Sequence, residues 1–411
     1  MSTRTTTCDA GSNRVEAPKQ HSEAATLVFN MAKDLRGGTV VLTLPDGEGV
    51  ELGQGEPRLH CQVHNENLFE RVLAHGDIGF AESYLAGEWD SDHLADLLTL
   101  LANNRDVLAR AVYGSFWRLL GHRLLHMLRM NTRSGSRRNI EAHYDLGNSF
   151  YAEWLDPSMT YSSALFASAE QSLEEAQYNK YRSLLREMGV QPGQHILEVG
   201  CGWGGLAEVA ATEFDCKVTG LTLSPSQLAA AEVRAERKGF ADRVSFHLRD
   251  YRDEQGRYDH IVSIEMIEAV GERFWPTYFR QLSRCLKPGG RIGIQAITIQ
   301  DNLFARYRRG TDFIQCYVFP GGMLPSPAQI RKQVGKVTLE VVAERAFGLD
   351  YARTLVLWRQ GFEAKLERVR KLGFDERFIR LWRFYLSYCE AGFRAGSTDV
   401  YHYVLAHASR G

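Results

Sequence analysis

Residues 195–205 read HILEVGCGWGG, an apolar run that carries an acid, Glu198, and ends in Gly200, Gly202 and Gly204 at alternate positions. Glycine lets a backbone turn sharply and approach a ligand closely at the carboxyl end of a strand, where open α/β sheets bind their ligands. A dinucleotide fold would instead show a GxGxxG phosphate cradle opening a helix. A second acid, Glu268, follows the apolar run DHIVSIE, again just past a strand terminus where site residues of such sheets lie. The seven cysteines, Cys8, Cys61, Cys201, Cys216, Cys285, Cys316 and Cys389, are scattered without a CxxC pair, which argues against a zinc site and a disulfide framework. They read as reduced thiols, and no metal is expected.

A glycine loop of this kind needs a strand before it and a helix after it. From 139 onward HILEVG, KVTGLTL, RVSFHL, DHIVSIE and GRIGIQAITI are short, apolar and rich in β-branched residues, and helical spacing fills the gaps between them. That alternation predicts an α/β fold over 139–411, a Rossmann-like, doubly wound, mostly parallel sheet. After Ile299 the pattern is mainly helical, with VYHYVLAHA as a final strand. Residues 1–24 lack periodicity and read as a mobile tail. Residues 25–115 suit a small α+β domain, with a hairpin in GGTVVLTLPDGEGVEL turning at Asp46-Gly47 and helical stretches following. Over 116–138 arginines and histidines interleave with Phe, Trp, Leu and Met, as in a basic amphipathic helix and linker that could lie on an anionic membrane or pack between domains.

The bulk properties exclude some classes. With 411 residues and 44% hydrophobic content the chain can bury a large core. A net charge of -1, from 49 basic and 50 acidic residues, gives no global attraction for nucleic acid. No run approaches the roughly 18 apolar residues of a membrane span, and the first twenty residues lack the apolar core of a signal peptide. A cytoplasmic protein is expected, peripherally attached to the inner face of the membrane through 116–138 and FARYRRG. The exposed helices and the N-terminal module are compatible with a homodimer.

Several motifs together carry a resemblance. AHYDLGNSFYAEWLDPSMTYSSALF, LEVGCGWGG, GLTLSPSQ, SIEMIEAVG, FPGGMLPS, FGLDY and FYLSYCEAGFRAG resemble those of the cyclopropane-fatty-acyl-phospholipid synthase family, within the class I S-adenosylmethionine-dependent methyltransferases, and AESYLAGEWDSDHL extends the likeness into the N-terminal module. The resemblance implies S-adenosylmethionine held by Tyr161, Ser162, Glu198, Gly200, Gly202, Gly204, Thr222, Leu223, Gln227, Tyr251 and Arg252. Where many class I enzymes place a ribose-binding acid, this chain offers Thr222, Ser224 and Gln227. The substrate implied is the unsaturated acyl chain of a phospholipid. Methyl transfer to an alkene leaves a carbocation, so something negative must stabilise it and a base must remove a proton. In the family a bicarbonate ion does this, and Glu268 and Tyr351 fall on positions that hold it.

Two positions depart from the family pattern. Ser163 stands in place of a cysteine, and Gln295 in place of a histidine. An amide can hydrogen-bond an anion but cannot relay a proton near neutral pH as imidazole does, so anion binding is expected to survive while deprotonation changes. Cys389 matches a family cysteine and is read as site-lining. Cyclopropanation is the favoured reaction, and C-methylation to a 10-methyl or methylene-branched chain is the runner-up. A non-enzymatic lipid- and cofactor-binding protein would fit the departures, but the retained Glu268 and Tyr351 argue against it. Methylation of a small polar molecule or a nucleic acid would need polar contacts or a basic groove.

Overall fold

The computed structural model describes residues 21–112 and 146–408. The basic 116–138 segment and the tail up to residue 20 lie outside the described residues. Ser22, whose hydroxyl accepts from Ala25 N at 3.1 Å, caps a first helix, Glu23–Ala32. A four-stranded sheet follows, built of β1 (Gly38–Thr43), β2 (Gly49–Gln54), β3 (Arg58–Val63) and β4 (Trp89–Asp90), in the order β2-β1-β3-β4. β1 and β2 form the expected antiparallel hairpin, with Gly47 at φ 88° in the turn. β3, by contrast, falls in a stretch read as helical. Its strict alternation, which buries Leu59, Cys61 and Val63, marks a half-buried strand.

The second sheet has seven strands in the order β10-β11-β9-β8-β5-β6-β7. They are β5 (His195–Val199), β6 (Lys217–Thr222), β7 (Val244–Leu248), β8 (Tyr258–Ile264), β9 (Leu286–Ile299), β10 (Leu339–Ala346) and β11 (Thr398–His407). The five from β5 to β9 run parallel to one another, and β11 is reversed, pairing antiparallel with both β9 and β10. The mostly parallel α/β sheet thus matches the sequence pattern. β10 was not anticipated, because it is an edge strand whose side chains are mainly exposed and so carries little apolar signal. The chain leaves β5 on one side toward β6 and returns on its other side as β8. That reversal opens a crevice at the carboxyl end of β5, where such sheets bind ligands.

Two long helices near the C-terminus, Gly348–Glu363 and Glu376–Arg394, bury Trp358 and Trp382 against Phe150 and Trp154. The N-terminal module packs on them: helix Leu94–Asn103 lies against Glu376–Arg394, and Arg380 donates to Trp89 O at 2.8 Å with its guanidinium 4.1 Å from the Tyr84 ring centre. One apolar cluster joins Leu42, Leu98, Trp358 and Trp382. Among the described residues no helix is long and apolar enough to cross a membrane.

Candidate active site

The glycine loop follows β5 directly. Gly200, Gly202 and Gly204 have φ of 85°, 51° and 81°, the left-handed region that glycine adopts without strain. Gly200 N and Cys201 N donate to Leu221 O at 3.0 and 2.9 Å, so the loop is tied to the end of β6. Gly204 caps the helix Gly205–Thr212, and a Cβ there would lie 3.3 Å from the Ala231 methyl. Beside the loop, Thr222 Oγ1 donates to Gln227 Oε1 at 3.0 Å, and Ser224 caps the helix Pro225–Lys238 by accepting from Gln227 N. Glu198 is buried, and its Oε2 has no hydrogen-bond partner among the described residues. Burial pushes its carboxyl well above the usual range. A bare polar oxygen beside a glycine cradle suits a ligand with a donor group, and the amine of S-adenosylmethionine is one.

Glu198, Gly200, Gly202, Thr222, Leu223, Gln227, Tyr251, Tyr161 and Ser162 all line one cavity of about 1260 Å³, while Gly204 lies behind the loop against Ala231. Arg252 does not; it is bound to Asp250, with Nε donating at 2.8 Å, and lies over Phe274. Of the residues expected from the sequence to take part in the reaction, Glu268, Tyr351 and Cys389 line the same cavity. Burial pushes the Cys389 thiol up, so it stays protonated and is no nucleophile. The cavity continues beneath the N-terminal sheet, where Leu42, Cys61 and Leu98 form its wall. It exceeds the roughly 300–1,000 Å³ of most small-molecule sites, so it can hold a cofactor and a long apolar chain together.

The charged centre of this cavity is Glu265, which the sequence reading did not single out. Ser163 N and Gln295 Nε2 donate to its Oε1 at 2.8 and 2.7 Å, and the Tyr351 hydroxyl donates to its Oε2 at 2.7 Å. Ser163 takes part through its backbone, since its own hydroxyl donates to Ala164 O. Glu265 N also donates to Gln295 O at 2.8 Å, anchoring the residue to β9 twice. Buried Lys180 faces it, donating to Ser162 Oγ and Gln177 Oε1, each at 2.7 Å. Burial raises the Glu265 carboxyl while Lys180 and the three donors draw it back; burial lowers the Lys180 ammonium in turn. Gln295 is oriented from behind by His402, whose Nε2 lies 3.0 Å from its Oε1. Burial holds the His402 pKa down at about 3. The imidazole is therefore neutral, and its Nε2–H must donate, because an amide oxygen only accepts.

Glu268 sits a turn further on. Its Oε1 accepts from Ile297 N, its Oε2 has no partner among the described residues, and burial with the nearby Glu265 charge raises its pKa to about 8. The donors expected to hold a bicarbonate ion are thus occupied by a side-chain carboxylate. A separate ion does not fit there while Glu265 keeps this position. The signal for Glu265 was present in SIEMIEAVG, which puts two acids at a strand end. Lys180, Gln177 and His402 left no such mark, being single polar residues on apolar faces.

The sequence model for mycolic acid cyclopropane synthetase matches residues 131–403. The tuberculostearic acid methyltransferase UfaA1 of Mycobacterium tuberculosis is 42% identical over 385 residues, which is 89% of this chain and 87% of the relative. The cyclopropane-fatty-acyl-phospholipid synthase of Escherichia coli K12 is 34% identical over 361 residues, 86% of this chain and 89% of the relative. Among solved structures, mycolic acid cyclopropane synthase CmaA1 complexed with SAH and CTAB superposes with a TM-score of 0.62 at 30% identity, covering 66% of this chain and 97% of that one.

Proposed function

The chain belongs to the mycolic acid cyclopropane synthetase family and is an S-adenosylmethionine-dependent methyltransferase of fatty-acyl type, and from that premise we propose that it methylates the double bond of an unsaturated phospholipid acyl chain to give a methylene-branched product. The observation that carries this is the single cavity that runs from the glycine loop past Glu265 to an apolar end beneath the N-terminal sheet. S-adenosylmethionine, when bound, supplies an electrophilic methyl on a sulfonium. The loop glycines, Glu198 and the Thr222–Gln227 pair would hold it, with Tyr251 against one side. The apolar walls exclude water from the carbocation left on the acyl chain, and the carboxylate end of the cavity stabilises that charge.

The product depends on which carbon loses the proton. Direct loss from the new methyl closes a cyclopropane, and loss from an adjacent acyl carbon leaves a methyl-branched alkene. A hydride shift from the methylated carbon to the cationic one, followed by loss from the methyl, leaves a methylene branch. The branched reading is supported by Gln295, an amide without an acid–base function, and by the likeness to a protein named for tuberculostearic acid. A saturated methyl branch would need a further two-electron reduction. Cyclopropanation is the second reading, favoured by the likeness to the Escherichia coli synthase. Mass spectrometry of phospholipid acyl chains, after expression in a host without its own cyclopropane synthase, tests both. A gain of one CH2 with unsaturation retained is expected. The same gain with the double bond lost would establish the cyclopropane, and no gain would refute acyl methylation.

The substrate lies in a bilayer, and we assign membrane docking to 116–138. Arg118, Arg123 and Arg129 changed together to Glu should weaken co-sedimentation with anionic vesicles at low salt; unchanged sedimentation counts against it. A homodimer would present two such segments to one surface, and light scattering of the purified chain tests it.

A further inference from the structure

Three neutral donors converge on the cavity wall from three separate elements, and one carboxylate takes them all. A carboxylate has roughly four lone-pair sites. Ser163 N and Gln295 Nε2 occupy Oε1 and the Tyr351 hydroxyl occupies one site of Oε2, which leaves Oε2 one site unclaimed by the hydrogen bonds among the described residues. Ser163 and Gln295 are both fully buried at 0% exposure and do not line the cavity, whereas Glu265 does. The carboxylate therefore stands between these two donors and the substrate space, which Tyr351 also lines. A side-chain carboxylate and a bicarbonate ion present the same planar CO2 fragment to such donors, so one occupies the place of the other.

We infer that Glu265 is the resident anion and general base of this enzyme, doing through a tethered carboxylate what a bound bicarbonate would otherwise do. The inference rests on the acyl-methylation reading and names its proton acceptor.

The backbone supplies an independent argument. Glu265 has φ 48°, and a residue other than glycine in the left-handed region costs about 1–2 kcal/mol. Such strain persists where the surroundings over-determine it, commonly at functional sites. Here the residue is pinned by its own N–H to Gln295 O and by its side chain to three donors. Tethering also removes the entropy of capturing an ion for each turnover.

The step balances without any further reagent. The alkene π pair forms the new C–C bond to the methyl group, and the C–S bond breaks with its pair staying on sulfur. The acyl chain then carries a cation on the alkene carbon that did not receive the methyl. A Glu265 oxygen takes a proton from the new methyl, either directly for ring closure or, for the branched alkene, after a hydride has moved with its electron pair from the methylated carbon to the cationic one. The released C–H pair forms either the branched alkene or the ring bond, and the Glu265 acid returns its proton to solvent.

The test uses the purified full chain, S-adenosylmethionine and monounsaturated phospholipid vesicles in buffer stripped of carbon dioxide. The wild type should turn over at the same rate with and without added bicarbonate. Glu265→Gln should lose about 100-fold or more in kcat, the low end of a general base's usual contribution, while its affinity for S-adenosylmethionine stays near that of the wild type. Glu265→Gly relieves the φ strain and vacates the donors, so it should be inactive in stripped buffer and regain turnover on adding bicarbonate. A wild type that slows on stripping and recovers with bicarbonate overturns the assignment, as does a Glu265→Gln enzyme at full rate. Should Glu265→Gln fail to fold, the stripped-buffer comparison on the wild type still decides. A wild type that makes no product under any condition sinks the acyl-methylation reading instead.

Discussion

The Gln295 amide is held between a neutral imidazole and a carboxylate, and this arrangement allows only one orientation. Turned over, its oxygen would face the Ser163 carbonyl and the Glu265 carboxylate, both acceptors, at the positions where Nε2 now donates at 3.2 and 2.7 Å. Gln295 is thus a positioning residue for Glu265. Gln295→Ala removes a hydrogen bond to a charged group, worth about 1.5–3 kcal/mol, and should reduce kcat roughly ten- to hundredfold without weakening cofactor affinity. Losing a donor to the ionised form raises the carboxylate pKa, so the acidic limb of the kcat–pH profile should move to higher pH. An unmoved limb would show that Gln295 only fills space. Glu268 predicts a second pH effect. Its folded pKa of about 8 lies above the unfolded carboxylate range. Its stabilising contribution is complete below the unfolded pKa and is lost as pH rises through the folded one. Between pH 6 and 8 the wild type should lose stability relative to Glu268→Gln by up to about 1.4 kcal/mol per pH unit. Urea titrations of the two proteins check this, and parallel curves would mean that Glu268 is already ionised at pH 6.

At the scale of elements, the glycine loop works because β5 is buried along its length and ends at the reversal of strand order. Gly204 tests this locally. An alanine there must adopt φ 81° with its methyl 3.3 Å from Ala231. It should cost about 1–2 kcal/mol and weaken S-adenosylmethionine binding, seen as a lower Tm and a higher Kd by calorimetry. An unchanged Kd would mean that the loop does not touch the cofactor. The strands flanking this loop were legible because parallel strands covered on both faces are continuous apolar runs. β10 was not, because an edge strand shows its side chains to solvent. β3 was overlooked although its period of two is regular.

The whole molecule shares one core, because Leu42 and Leu98 of the N-terminal module join the same apolar cluster as Trp358 and Trp382. The cavity crosses the same boundary, with Cys61 of β3 at its far wall. If the acyl tail ends there, Cys61→Phe shortens the space and should shift preference toward shorter monounsaturated chains, with cofactor affinity unchanged. Competition between phospholipids of graded length, read by mass spectrometry, checks this; an unaltered profile would place the tail elsewhere.

The sequence by itself determined the parallel sheet, the glycine cradle and the membership of an acyl-modifying methyltransferase family, because buried strands and close backbone turns demand residue types that show in one dimension. It also marked Tyr351, Ser163 and Gln295 as positions of consequence. Only the tertiary structure decided what they hold. Ser163, Glu265, Gln295 and Tyr351 come from the loop before helix Leu173–Glu187, the end of β8, the middle of β9 and the helix Gly348–Glu363. Which of two acids three residues apart meets those donors depends on the φ of 48° at Glu265, and a local backbone angle held by distant hydrogen bonds leaves no trace in composition or spacing.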